Sequence, residues 1–294
     1  MSGAAAAPTR NRVGLSDGGA DQVAVEQGAV EHAGFLAELD AGRIRAAWPD
    51  PAAPGGWRLD PTVRASILEL FGQRAVERWE VGPFLFADRA SLPLKRLHDG
   101  GNGRGDGGAD PRWRIVPGGT SIRAGAHLEP GVVVMPPSFV NLGAWIGADT
   151  MLDSHVLVGS CAQIGARVHL AAGVVIGGVL EPAGARPVIV EDEAFVGGGS
   201  GLYDGVLVGR GAVLGAGVVL TGTSRLYDLV RERVLIGTRE EPLSVPELAV
   251  VVPGTRRSDG TFAEAHGLGV TTALIVKDRD AGTDARVALE EALR

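Results

Sequence analysis

The sequence predicts a mainly β chain: a three-sided prism of stacked parallel coils, preceded by a helical segment and followed by a short strand-and-helix tail. Three observations carry that expectation. The first is a spacing. In "MLDSHVLVGSCAQIGARVHL", residues 151–170, the large aliphatics Leu152, Val158, Ile164 and Leu170 fall six apart. A helix would want apolar residues every three or four positions and a half-buried strand every two. The step extends without a miss from Ile122 through Leu128, Val134, Val140 and Ile146 to Ile176. It resumes in a new phase at Val190, Val196, Leu202, Val208, Leu214, Leu220 and Leu226. The second observation is what stands four residues after each aliphatic. Strand side chains alternate, so that residue should also point inward. These positions run Ala126, Val132, Ser138, Ala144, Thr150, Val156, Ala162, Val168 and Val174, then Ala194, Ser200, Val206, Ala212, Val218 and Ser224, all small or β-branched. The third is 45 glycines in 294 residues without a Gly-X-Y period, far above the usual ~7%. Gly147, Gly159, Gly165, Gly209 and Gly215 each follow an aliphatic directly, where they ease a tight corner.

Taken in order, residues 1–20 are expected to be a disordered tail. Residues 21–97 form an N-terminal α-helical domain, with one helix over "DQVAVEQGAVEHAGFLAELD". A second opens at Asp60 as N-cap and Pro61 at the first helical position, then places Val63, Ile67, Leu70 and Phe71 at helical spacing. Residues 98–112, beginning "HDGGNGRGDGGAD", read as a Gly-rich linker. The prism takes residues 113–232, interrupted by "GGVLEPAGARPVI". Its seventeen hexapeptides make between five and six coils, roughly 27 Å tall at about 4.8 Å per coil. Residues 233–294 form a C-terminal β/α extension, with "TTALIVK" as a strand and "DARVALEEALR" as a terminal helix.

The net charge is −7 with scattered basic residues, which leaves no electrostatic footprint for nucleic acid or an anionic membrane. One cysteine makes no intrachain disulfide. The opening "MSGAAAAPTRNR" has no signal-peptide core, and no apolar run approaches the ~18 residues that span a bilayer. The expectation is a soluble, cytoplasmic protein.

Among residues able to carry chemistry, Asp153 takes the corner position after Leu152 where many coils put glycine. Packing does not call for a carboxylate there, although aspartate also favours turns. His127, His155 and His169 lie 28 and 14 apart and do not reproduce a close ligand pair, so no metal is expected. Cys161 precedes the inward Ala162 with no base evident beside it, which fits a structural or site-lining thiol better than a nucleophile. "GNGRGDGG" has neither the preceding strand nor the following helix of a nucleotide loop.

Residues 138–182, "SFVNLGAWIGADTMLDSHVLVGSCAQIGARVHLAAGVVIGGVLEP", closely resemble the central segment of the bacterial tetrahydrodipicolinate N-succinyltransferases. The "VGSCAQIG", "VHL" and "IGGVLEP" blocks include residues that the prism does not require. Weaker similarity runs from about residue 42 to the end, through "WRIVP", "SRLYD", "VPELAVVVPG" and "TTALIVK". The resemblance implies a left-handed coil, against the usual right-handed crossover, and a homotrimer with active sites between subunits. It implies succinyl transfer from succinyl-CoA, as co-substrate, to the amine of ring-opened tetrahydrodipicolinate, a small dicarboxylate, in lysine and diaminopimelate synthesis. That chemistry needs an amine positioned and deprotonated, a basic group on substrate carboxylate, and N–H groups at the oxyanion.

Carried over residue by residue, the resemblance makes Asp153 the group that holds the amine and Arg114 the one that holds carboxylate. Gly177, Gly178 and the loop through Pro187 become a flap that contacts CoA. Further CoA contacts fall at Gly215, Ala216 and Thr221, and Arg225 meets a CoA phosphate or is solvated. The chain departs from the family pattern in "FVGGGSGLYDGV", residues 195–206. The family carries an arginine and, two residues later, a glutamate there; this chain has Gly199 and Gly201. Asp204 matches another acidic position and either stands in or is a turn aspartate. His155 replaces a tryptophan two residues from Asp153, as a substitute base or as an exposed prism-face histidine. The departures leave two alternatives open: an acyltransferase of the same scaffold for another amino-acid-like amine, for example acetyl-CoA dependent, or a catalytically silent scaffold trimer.

Overall fold

The computed structural model describes residues 31–95, 113–182 and 184–284. The expected tail at 1–20, the first half of the helix at 21–40, the linker at 98–112 and the terminal helix beyond 284 lie outside the described residues.

The six-residue aliphatics form the axis of the molecule. Each closes a two-residue strand, and each strand pairs in parallel with the strand one coil away. On the first face Ile115, Val134, Leu152, Leu170, Val196 and Leu214 stack in register. The second face stacks Ile122, Val140, Val158, Ile176, Leu202 and Leu220. The third stacks Leu128, Ile146, Ile164, Val190 and Val208. The paired aliphatics from Ile122 onward are buried, as are the residues four after each from Ala126 to Val218. The polar members of that inner set are held by the backbone. Thr150 Oγ1 donates to Gly165 O at 2.7 Å and accepts from Val168 N at 3.0 Å, and Ser138 and Ser200 do the same one edge on. Buried hydroxyls so satisfied carry little desolvation penalty.

The change of phase has a simple cause. Ile146 pairs with Ile164, eighteen positions on, but Ile164 pairs with Val190, twenty-six on. The segment between strands Val175–Ile176 and Ile189–Val190 is a projecting loop eight residues longer than an ordinary corner. The glycines serve two ends, and the first differs from the corner-easing expected of them. Those directly after an aliphatic are sites of close approach between coils: a Cβ on Gly147 would stand 2.4 Å from the carbonyl carbon of Gly165. The left-handed turn comes two residues later, and not only at glycine: Asp149, His155 and Cys161 adopt φ of 58°, 63° and 65° there.

The prism does not close at residue 232. After Leu220 the chain leaves it, and Leu226, the last expected step, lies in Arg225–Asp228, paired with Arg233–Ile236 and Gly269–Asp278. It returns with Ser244–Val245 on Leu207–Val208 and with Ala249–Arg257 on Val213–Leu214. Val245, Ala249 and Val251 repeat the interior rule, and all three are buried. The strand read from "TTALIVK" spans Gly269–Asp278 and pairs antiparallel with Ala249–Arg257.

In the N-terminal segment, residues 31–40 are helical (α1), and α2 spans Pro61–Gly72 with Asp60 accepting from Thr62 N and Val63 N as its cap. The segment is not purely helical. Ala47–Pro49 pairs antiparallel with Trp57–Leu59, and Val76–Val81 with Phe84–Arg89 around Gly82 at φ 56°. "ERWEVGPFLFAD" is a hairpin sequence of β-prone residues around Gly-Pro.

Ile164 sits mid-stack and fully buried. Ile164→Ala should cost about 2–5 kcal/mol, read as a lowered denaturation midpoint. An exposed change away from the prism such as Val76→Ala should move the midpoint by far less.

Candidate active site

Among the described residues the chain packs onto one prism face and prolongs another. On the third, Ile189 and Leu207 are buried with Ala47 and Trp57, while the Arg45 guanidinium lies 4.0 Å from the Trp145 ring centroid and donates to Gln163 Oε1. The upper first face continues into the C-terminal sheet. The second face keeps its outward residues accessible: Leu157 is 38% exposed and Val219 57%. The sequence-predicted residues fall along the two edges of that face, with one exception.

The edge between the first and second faces carries Asp153, His155, Gly215 and Ala216. Asp153 is half-buried, and its Oδ1 accepts from Ser154 N at 2.6 Å. Among the described residues its other oxygen takes no hydrogen bond, so that oxygen can receive an ammonium. His155 is exposed on the same corner in the left-handed turn conformation, its N–H donating to Pro137 O at 2.8 Å. The imidazole therefore leaves the prism two residues from the carboxylate. Above them the edge is lined with small residues: Ala171, Gly197 and Gly215 occupy the Asp153 position in successive coils, about 14 Å in all. A Cβ on Gly199 would meet nothing within 4 Å, so the corner at Gly199 opens to solvent. Arg114 is the exception. It is exposed on the first face, where it pairs with Val133, which pairs with Met151, about 10 Å below the Asp153 corner.

The opposite edge, between the second and third faces, carries Gly177, Gly178, Asp204, Thr221 and Arg225. Asp204 is exposed at φ 51° in its Asp-Gly turn, so the structure does not bring it to the edge that holds Asp153. Thr221 and Arg225 line a cavity of about 430 Å³ with Ser224, Arg256 and Thr272. Two arginines among hydroxyl residues suit an anionic group such as a phosphate, although Arg256 Nη1 also donates to Arg257 O at 3.2 Å and lies 3.9 Å from Asp259 Oδ2. Sequence reading missed Arg256, because the C-terminal hairpin alone brings it beside Arg225. A second cavity of about 590 Å³ lies under Arg45 and Trp57, away from these edges.

The loop after Ile176 is pinned from both ends. Arg64 of α2, fully buried, donates through Nη2 to Val179 O at 2.6 Å and Pro182 O at 3.2 Å. Arg186 donates to Gly205 O at 2.7 Å and Pro242 O at 2.6 Å, and burial pulls its guanidinium down to about 10. Cys161 lies beside Arg64 in the cluster of Ile67, Leu70 and Leu142. Burial pushes its thiol up to about 12, against the smaller opposing pull of Arg64. A thiol so buried stays protonated and is no nucleophile. Among the described residues no group of three or more His, Cys, Asp or Glu could hold a metal ion, and no helix is long and apolar enough to cross a membrane.

Two outcomes follow from this geometry. Cys161 should resist alkylation by iodoacetamide at pH 8 in the folded protein and react once it is unfolded, read by mass spectrometry. Arg64→Met should leave Val179 O unpaired, at about 1–3 kcal/mol, while Pro182 O keeps the hydrogen bond from Ala185 N. Hydrogen exchange should then rise in residues 177–188 and stay unchanged in the strands Leu157–Val158 and Ile189–Val190.

Known proteins bear on the identity of the chain. Residues 143–178 match the bacterial transferase hexapeptide (six repeats) family, and residues 187–222 match the hexapeptide repeat of succinyl-transferase. The chain is 38% identical over 277 residues to the 2,3,4,5-tetrahydropyridine-2,6-dicarboxylate N-succinyltransferase of Methylobacterium sp. (strain 4-46), covering 94% of each chain. It is 40% identical over 259 residues to the enzyme of that name from Idiomarina loihiensis, covering 87% of this chain and 86% of that one. Among solved structures it is similar to a 2,3,4,5-tetrahydropyridine-2-carboxylate N-succinyltransferase of Campylobacter jejuni, at 16% identity and a TM-score of 0.43, over 82% of this chain and 61% of that one. The prism is a left-handed parallel β-helix of hexapeptide repeats. With identities of this order over nearly its whole length, the chain belongs to the family of the 2,3,4,5-tetrahydropyridine-2,6-dicarboxylate N-succinyltransferases.

Proposed function

We propose that the protein transfers the succinyl group of succinyl-CoA to the amine of ring-opened tetrahydrodipicolinate, as a cytoplasmic homotrimer whose sites lie between subunits. One observation carries this reading. The face that the chain leaves uncovered has a half-buried carboxylate on one edge and a cavity of arginines and hydroxyls on the other. A second subunit against the exposed Leu157 and Val219 would turn that open face into a groove.

In this reading Arg225 and Thr221 hold a phosphate of CoA, and the pantetheine arm runs beside Gly215 and Ala216. The loop begun by Gly177 and Gly178 covers it. Asp153 binds the substrate ammonium through its unpaired oxygen, and Arg114 binds a carboxylate of the substrate. His155 takes the ammonium proton; the amine then attacks the thioester carbonyl, with backbone N–H groups at the oxyanion. Collapse breaks the C–S bond, and the CoA sulfur leaves with a proton. Asp204, on the other edge, would reach substrate only across the groove. A second reading, an acyltransferase for a different amino-acid-like amine, is favoured by Gly199 and Gly201, which can neither bind charge nor take a proton.

A thiol-release assay with 2-aminopimelate distinguishes the two. Turnover with succinyl-CoA supports the first; preference for acetyl-CoA or for another amine supports the second; no turnover by folded protein overturns both. Asp153→Asn should lower kcat/KM by about 100-fold or more while succinyl-CoA KM changes less than twofold. His155→Ala should lower kcat and flatten its pH dependence; full turnover by that variant removes His155 from the mechanism. Sedimentation should give a particle of three 30.3 kDa chains.

A further inference from the structure

The outward positions of the second face read Ser121, Phe139, Leu157, Val175, Gly201 and Val219 from bottom to top. Above Ser121 none of these side chains forms a hydrogen bond, yet a polar group does lie on the face. Tyr203 starts at the edge with the third face, and its ring folds back. A Cβ on Gly201 would stand 2.6 Å from Tyr203 Cε2, 3.0 Å from Cζ and 2.9 Å from the phenol oxygen, and a Cβ on Gly177 would stand 2.9 Å from Cδ1. The ring therefore lies flat across two stacked coils, on ground that only glycine at 177 and 201 leaves free. Gly201 is two residues nearer the Asp153 edge than Tyr203 is, so the hydroxyl is carried toward that edge, two coils or about 10 Å above the level of Leu157. Tyr203 is half-buried, and among the described residues its hydroxyl makes no hydrogen bond.

We propose that Tyr203 determines acceptor specificity: its hydroxyl donates to a carboxylate or carbonyl oxygen of the amine substrate, and its ring packs against the aliphatic chain of that substrate. The inference rests on the acyltransferase reading above and deepens it. A phenol supplies a donor without charge, and an edge-lying ring supplies apolar surface. The site so formed suits a flexible chain with an amine at one end, held at Asp153, and an oxygen acceptor further along. The glycines at 177 and 201 are then the floor on which this side chain rests.

Tyr203→Phe keeps the ring and removes only the hydroxyl. The KM for 2-aminopimelate, or for whichever amine the wild type acylates, should rise about tenfold, with kcat and acyl-CoA KM within twofold. An unchanged acceptor KM overturns the proposal. Should the wild type acylate no amine at all, the functional reading falls separately, and titration calorimetry with pimelate decides the role of Tyr203. Binding several-fold weaker in Tyr203→Phe supports it; equal binding, or none to the wild type, overturns it. The placement of the ring has its own readout. Gly201→Ala should lower the denaturation midpoint in the wild type and much less in a Tyr203→Val background; equal losses in both overturn the packing on which the proposal stands.

Discussion

The distance between coils governs this molecule. Parallel strands must lie about 4.8 Å apart to share hydrogen bonds, and three short strands around one axis enclose room for one large aliphatic and one small residue per face. Leu152 with Val156, Val158 with Ala162, and Ile164 with Val168 meet that allowance, and all six are buried. The same closeness forbids a side chain at Gly147 and Gly159, where backbone meets backbone. Interior volume and corner chemistry are thus two results of one spacing.

From that spacing follows a molecule with three long walls, and the use made of each wall differs. Trp57 and Ala47 close one, and the C-terminal sheet extends another. The remaining wall presents Phe139, Leu157, Val175 and Val219 with functional groups along its margins. Cys161 and Arg64 belong to the packing beneath one margin: the thiol is sealed, and the guanidinium holds loop carbonyls.

Much of this was legible in the sequence, because a prism interior admits few residue types and repeats them at a fixed step. The edge position of Asp153 and the loop after Ile176 could be read from the step alone. Other features resisted for physical reasons. The hairpin Val76–Val81 with Phe84–Arg89 has no counterpart in the repeat, and its exposed strands lack the apolar alternation of a buried face. The return of the chain at Val245 and Val251 obeys the interior rule but is separated from Leu220 by a long excursion. Arg256 joins Arg225 in lining one cavity only because Ala249–Arg257 and Gly269–Asp278 pair beyond the prism. Asp204 follows Gly201 by only three residues along the chain, yet one corner of the prism puts it on the margin away from Asp153.

The eight-residue lengthening after Ile176 shifts the repeat out of phase, yet Ile164 still finds Val190 and Leu170 still finds Val196. Register in such a tower is decided afresh at every storey by the neighbour below, not counted from the start of the chain. Margins can therefore gain or lose segments of any length, even ones that are no multiple of six, while the walls stay plumb. A scaffold with that freedom can exchange what it recognises by editing its margins, without rebuilding anything inside.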